Sequence, residues 1–172
     1  MNDSLRNPAN NAAVRDADTA SVFHSWSAQG SLAPFVIAGG SGSTVWDYEG
    51  NTYLDFSSML VNVNIGHQHP AVIDAIKEQA ETLTTVAPAH ANNMRALAAQ
   101  KILAHAPAGF HKVFFTNGGA DANENAVKMA RLVTGRRKIV YRHRSYHGAT
   151  LAMLSLSGDP RRVPFDPGLP DG

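Results

Sequence analysis

Apolar positions along this chain change spacing several times, and each change marks an element. The first twenty residues, MNDSLRNPANNAAVRDADTA, are rich in Asn, Ala and Asp and show no period, so residues 1–20 read as a disordered leader. Val22 to Gln29 (VFHSWSAQ) reads as a short helix carrying Phe23 and Trp26 inward. Residues 43–46 and 51–55 flank Asp47-Tyr48-Glu49-Gly50, the pattern of a β-hairpin with Gly50 at a positive-φ position. Pro70 stands where a helix begins, because its missing N–H has no acceptor there, and Val72, Ile73, Ile76, Ala80 and Leu83 form the stripe that follows. Asn92 and Asn93 are candidate caps of a second helix with Met94, Leu97, Ala98 and Ile102 inward and Pro107 beyond its end.

From Lys112 the pattern becomes strand, turn, helix, strand. Val113, Phe114 and Phe115 form a short buried-strand run that stops at Thr116-Asn117-Gly118-Gly119, a turn whose glycines suit positive φ or close approach of a ligand. A helix follows from Ala120 or Asp121 with Ala122, Ala126, Met129, Ala130 and Val133 on one face. Lys138 to Arg142 reads as a second strand, and a further helix opens near His147. Alternating strands and helices predict an α/β fold in which strand 112–116 is central and parallel to 138–142, with ligands at the strands' carboxyl ends. The last fourteen residues hold four prolines and two glycines and read as loop. The organisation is thus a leader (1–20), an N-terminal segment with a β-hairpin (21–69), the start of a sheet domain (70–158) and a loop-like end (159–172).

Composition narrows the class. A 172-residue chain with 44% hydrophobic residues can build a core. No apolar run approaches the ~20 residues that span a bilayer, and the N-terminus lacks the apolar stretch of a secretory signal, which excludes a membrane partner. Zero cysteines exclude disulfides and thiolate metal sites and agree with a cytoplasmic location. The net charge of +1 hides a basic block: residues 128–158 hold seven Lys/Arg and no acid. Without interleaved aromatics this block reads as a solvated helix end and strand flank, not a nucleic-acid surface.

Strand, Gly-rich turn and helix N-terminus together make an anion site, since free N–H groups and the positive end of the helix dipole meet there. Some 25 residues on stands Tyr146-His147-Gly148. A phosphate cradle followed by an aromatic ring outlines a site for a flat, phosphorylated cofactor. The pairs His67/His69 and His143/His147 have metal-binding spacing but no carboxylate to complete a set, so no metal is expected. A G-x-G-x-x-G fingerprint and a G-x-S-x-G elbow are both absent, which argues against NAD and hydrolase readings.

At these residues the chain resembles the class III pyridoxal-phosphate (PLP) aminotransferases. Thr116 to Glu124 (TNGGADANE), Lys128-Met129-Ala130-Arg131, Ser145-Tyr146-His147-Gly148, the Trp46 to Phe56 hairpin and Asn64-Ile65-Gly66-His67 with His69-Pro70 match the family in order. The resemblance implies part of a PLP-dependent transferase fold of type I. It places the cofactor phosphate on the Gly118–Gly119–Ala120 turn, with N–H groups of Gly119 and Ala120 in contact, and the cofactor ring under Tyr146. His147 would support that loop as a hydrogen bonder, and Asp121 and Glu124 would point away from the phosphate. Many relatives carry Ser where Ala120 stands, so one hydroxyl contact to phosphate is missing. Ser58, Leu60 and Val61 would enter the substrate cavity, where the aliphatic residues replace an aromatic wall.

The same resemblance implies transamination between a small-molecule amine donor and a keto-acid acceptor, closest in look to enzymes that use taurine, β-alanine or related ω-amines with pyruvate, and a homodimer in the complete protein. None of the five lysines, Lys77, Lys101, Lys112, Lys128 and Lys138, stands in the position of the family's Schiff-base lysine, which is expected far downstream. The chain thus resembles the N-terminal part of an aminotransferase, expected to be inactive alone; the alternative is a non-catalytic fragment or dimerising module.

Overall fold

A computed structural model describes residues 6–168. The chain divides into two compact units, one ending at Ala87 and one beginning at Pro88.

The first unit is organised by a three-stranded antiparallel meander, β1 (Gly39–Ser41), β2 (Thr44–Trp46) and β3 (Thr52–Leu54), in that spatial order. Val45 pairs with Gly40 on one side and Tyr53 on the other. Gly50 takes φ 84° in the β2–β3 turn, as the alternation and turn chemistry predict. Gly39 lies under the Trp46 indole, where a Cβ would sit 2.7 Å from the ring. Val36 and Val45 are the buried apolar residues of this unit, and Phe35 meets Tyr53 edge-on at 4.7 Å.

Two expectations for this unit fail. Half of the expected leader is helix: α1 spans Asn11–Ser21, capped by Asn10, whose side chain accepts from the Ala13 N–H at 2.9 Å. The order comes from Asn11, which gives its Nδ2–H to buried Asp47 at 2.9 Å and takes the Tyr48 N–H at 3.0 Å. Residues 1–5 of the expected leader lie outside the described residues. Residues 22–28 are not helical, and Gln29 only opens a 3-10 turn, Gln29–Ser31. The Gln29 amide bonds both backbone groups of His24, at 2.6 Å and 3.2 Å, and closes a loop there, leaving Phe23 82% exposed.

Beyond β3 the chain makes one left-handed turn, α2 (Ser58–Val61), with φ of 50°, 47°, 59° and 67°. Each such residue costs about 1–2 kcal/mol in an L-chain, so the turn exists only because its surroundings enforce it. The expected Pro70 start is borne out by α3 (Pro70–Thr82), although its stripe stays open to solvent, with Ile76 59% exposed.

In the second unit, α4 (Asn93–Ala104) is capped by Asn92, which accepts from the Arg95 N–H. The helix α5 (Gly119–Thr134) opens one residue before the expected start and closes on Gly135 in the left-handed region. A short α6 (Leu151–Ser155) is capped by Thr150, later than the expected opening near His147. Met153, Leu154 and Leu156 are buried, and Ser157 is fully enclosed. The tail is not plain loop: residues Pro160–Gly168 wind as a 3-10 helix, and the last four expected loop residues lie outside the description. Proline's fixed φ suits that winding, and Arg162 staples it by donating to the Ser155 and Ser157 carbonyls at 3.0 and 3.1 Å.

Segments 112–116 and 138–142 are not paired as strands; among the described residues the meander is the sheet. A parallel ladder needs a neighbour on at least one edge, and neither segment has one here. Phe114 is 66% and Val140 96% exposed in consequence.

Candidate functional site

Residues on both sides of α5's N-terminus line one cavity of about 460 Å³: Gly118, Gly119, Ala120, Asn123, Tyr146, His147, Gly148 and Ala149. All five residues expected at a cofactor site (Gly118, Gly119, Ala120, Tyr146, His147) are in this wall.

Two properties make the α5 end an anion cradle. Gly118 caps the helix without a side-chain bond, so the first-turn N–H groups, which have no intrahelical acceptor, stay available. A Cβ built on Gly118 or Gly119 meets nothing within 4 Å, so the backbone lies open to approach. Of the two uses such glycines suit, Gly118 does not take positive φ: it is extended at φ −172°, and its open backbone suits close approach.

The facing loop is held against the helix by backbone contacts. Asn123 donates through Nδ2 to the His147 carbonyl at 2.8 Å, and the His147 N–H donates to Ser157 Oγ at 3.0 Å. Ser157 Oγ donates in turn to the Met153 carbonyl at 2.7 Å. His147 therefore supports the loop through its backbone; its imidazole makes no hydrogen bond among the described residues. Gly148, at φ 141°, is where the two walls meet, and a Cβ there would fall 2.5 Å from Ala120 Cβ. Glu124 is turned to Thr150, which donates to it at 2.6 Å.

Tyr146 carries the Arg161 guanidinium 4.1 Å from its ring centroid. Arg161 is itself clamped by Asp159 at 2.7 and 2.9 Å, and these bonds hold the Asp159 carboxyl down at about 2. The ring is therefore braced from the 3-10 segment, which the proline-rich tail gave no reason to suspect. Sequence reasoning also missed Asn123, although it lies inside the TNGGADANE run that marks the turn, and Gly148, whose need for close contact depends on a residue 28 positions earlier.

No lysine lines the cavity. Ser58, Leu60 and Val61 lie in the first unit, on the left-handed turn, and are not part of this wall. The described residues hold no group of three or more His, Cys, Asp or Glu suited to a metal, and no helix long and apolar enough to cross a membrane.

Comparison with known proteins places this geometry. The model of the aminotransferase class-III family matches residues 26–171. The acetylornithine aminotransferase of Methanopyrus kandleri is 41% identical over 140 residues, covering 80% of this chain and 36% of that protein. That of Mycobacterium tuberculosis is 42% identical over 137 residues, covering 78% and 34%. Among solved structures, the taurine:2-oxoglutarate aminotransferase of Bifidobacterium kashiwanohense, in complex with PLP and glutamate, superposes with a TM-score of 0.87 at 43% identity, over 93% of this chain and 36% of that one. An adenosylmethionine-8-amino-7-oxononanoate aminotransferase from Methanocaldococcus jannaschii gives 0.84 at 29% identity, over 92% and 39%. The chain spans about a third of the length of these relatives, and its fold is the corresponding part of the PLP-dependent transferase fold of type I. The chain belongs to the class-III aminotransferases.

Proposed function

We propose that the protein carrying this chain is a PLP-dependent transaminase that moves an amino group from an ω-amine or amino acid to a keto acid, and that this chain contributes the phosphate cradle and the ring support. The cavity at the α5 N-terminus carries the reading: it joins an open glycine turn, a helix N-terminus and a braced aromatic ring in one wall. These residues fit PLP. N–H groups of Gly119 and Ala120 would hold the phosphate, each charge-assisted bond worth about 1.5–3 kcal/mol. The helix dipole adds up to ~2 kcal/mol in a partly buried geometry. Tyr146 would orient the flat ring, and the loop 146–149 would keep water from one side of it.

When bound, PLP supplies the electron sink that lets an amino group leave one carbon and join another. The residues of this cavity bind and orient; none is a lysine, so the group that moves the proton lies outside this wall. Ser58, Leu60 and Val61 are proposed to enter the substrate cavity. Two named neighbours, for taurine and for acetylornithine, favour donors whose amine stands far from the acid group. Pyruvate is the proposed acceptor, to be assayed beside 2-oxoglutarate, and a homodimer is the proposed assembly. The absence of a lysine from this wall also supports a second reading, in which the chain by itself is a non-catalytic fragment or dimerising module.

The test is Gly119→Val in the full-length protein. A branched side chain closes the backbone to the phosphate, and loss of about two charge-assisted bonds predicts PLP affinity weakened roughly a hundredfold or more. Equal affinity in variant and unsubstituted protein, by cofactor titration, refutes the cradle.

A further inference from the structure

We propose that Asp55 is a positioning residue: backed by His67, its carboxylate clasps the α2 turn in left-handed form and so fixes where Leu60 and Val61 meet the amine donor. The donor half rests on the transaminase reading; the clasp rests on geometry alone.

Four consecutive non-glycine residues, Ser58 to Val61, have positive φ, and the last is β-branched, the type least tolerant of that region. Three sets of contacts hold them. The N–H groups of Val61, Asn62 and Val63 donate to the Ser57 and Ser58 carbonyls at 2.9–3.0 Å. Asp55 Oδ1 accepts from the Met59 N–H and the Ser57 hydroxyl, both at 3.2 Å, while Oδ2 accepts from His67 Nε2 at 2.8 Å. Both flanks of the loop are tied to one turn of the meander: the Asp55 N–H reaches Ser43, and His67 exchanges both backbone bonds with Gly42.

Asp55's side chain is only 4% exposed, so these bonds form where water competes little and each is correspondingly stronger. An ionised carboxylate only accepts, which puts a proton on His67 Nε2. The imidazole is backed by Gly40, where a Cβ would come within 2.9 Å of its Cγ. Glycine at position 40 thus leaves the ring the space it needs to reach Asp55.

The strain does not bury the whole turn: Ser58 and Met59 are half-buried. It turns out Leu60, 84% exposed, and Val61, 71% exposed. A loop selected for stability alone would place Gly or Asn at such φ values. Enforced strain beneath two outward aliphatic residues fits a surface that must be presented in one arrangement.

The experiment uses the full-length, PLP-loaded protein. Asp55→Asn keeps the size and removes the charge-assisted bonds. Amide exchange at Val61 to Val63 should rise roughly tenfold, and the ratio of kcat/KM for a straight ω-amine over a branched one should shift roughly fivefold, with PLP affinity unchanged. Met59→Gly, which frees one positive-φ position of its Cβ, should restore most of both effects when added to Asp55→Asn. Unchanged exchange in Asp55→Asn overturns the clasp. Faster exchange with an unchanged donor ratio overturns the positioning role. Failure of the unsubstituted protein to transaminate any donor is the failure of the function reading, and amide exchange still decides the clasp.

Discussion

Gly148→Ala tests the closest approach in the site. The added Cβ would stand 2.5 Å from Ala120 Cβ, 2.8 Å from Ala120 Cα and 3.2 Å from Met153 Cβ. Ordinary carbon contacts lie near 3.5 Å or more, so the loop must withdraw from α5 by ~1 Å. Overpacking of this kind costs about 1–3 kcal/mol. An L-residue held at φ 141° adds about 1–3 kcal/mol, because only glycine is at ease there. The sum is about 2–6 kcal/mol of lost stability. Withdrawal should also stretch the Asn123 to His147 bond, now 2.8 Å, and carry Tyr146 away from the glycine turn. Denaturant unfolding of the full-length protein should show the lost stability, and cofactor titration should show PLP affinity at least ~10-fold weaker, the equivalent of 1.4 kcal/mol. A variant within 0.5 kcal/mol of the unsubstituted protein, a shift typical of an exposed site, with unaltered PLP affinity, would show that the two walls do not depend on this contact.

Other expected outcomes concern the ring, its brace and the first helix. Tyr146→Phe should keep PLP affinity within about twofold, whereas Tyr146→Ala should lose about 1 kcal/mol of stacking and slow transamination; equal titrations for both variants refute stacking. The Asp159 carboxyl is held below its ordinary 3.8, at about 2, so its pairing with Arg161 contributes stability fully above pH ~4 and loses it as pH falls through 2. Carbon-detected NMR titration of Asp159 should show that midpoint, and Arg161→Ala should move it back toward 3.8. Asn11→Ala should free α1, read as faster amide exchange across residues 14–21 with the meander unchanged; protected α1 amides would refute docking through Asp47.

What the sequence disclosed and what it hid separate by the range of the cause. Pro70 starting α3, Asn92 capping α4 and Gly50 turning the hairpin are local choices, legible in a few neighbouring residues. The glycine turn before α5 was legible for the same reason. Helix α1 was hidden because Asn11 finds its partner 36 positions away, at Asp47. The handedness of α2 was hidden because it needs His67 behind Asp55, and the meander behind both. Segment 22–29 misled because its two rings have helical spacing while Gln29 bonds the backbone of His24. Strands 112–116 and 138–142 were read from apolar runs, but a strand is completed by its neighbours, which composition does not supply.

The meander and those two extended segments differ in when they can be finished during synthesis. Every ladder partner of the meander falls between Gly39 and Leu54, so the sheet can close as soon as that short stretch leaves the ribosome. Segments 112–116 and 138–142 emerge later and, in the described residues, find no ladder of their own. Until covered, they offer open backbone beside Phe114 and Val140 to any passing strand edge. Yield of soluble protein should therefore depend on how fast the following chain arrives, and slowed translation just after residue 142 should cost more of it than the same pause after Leu54.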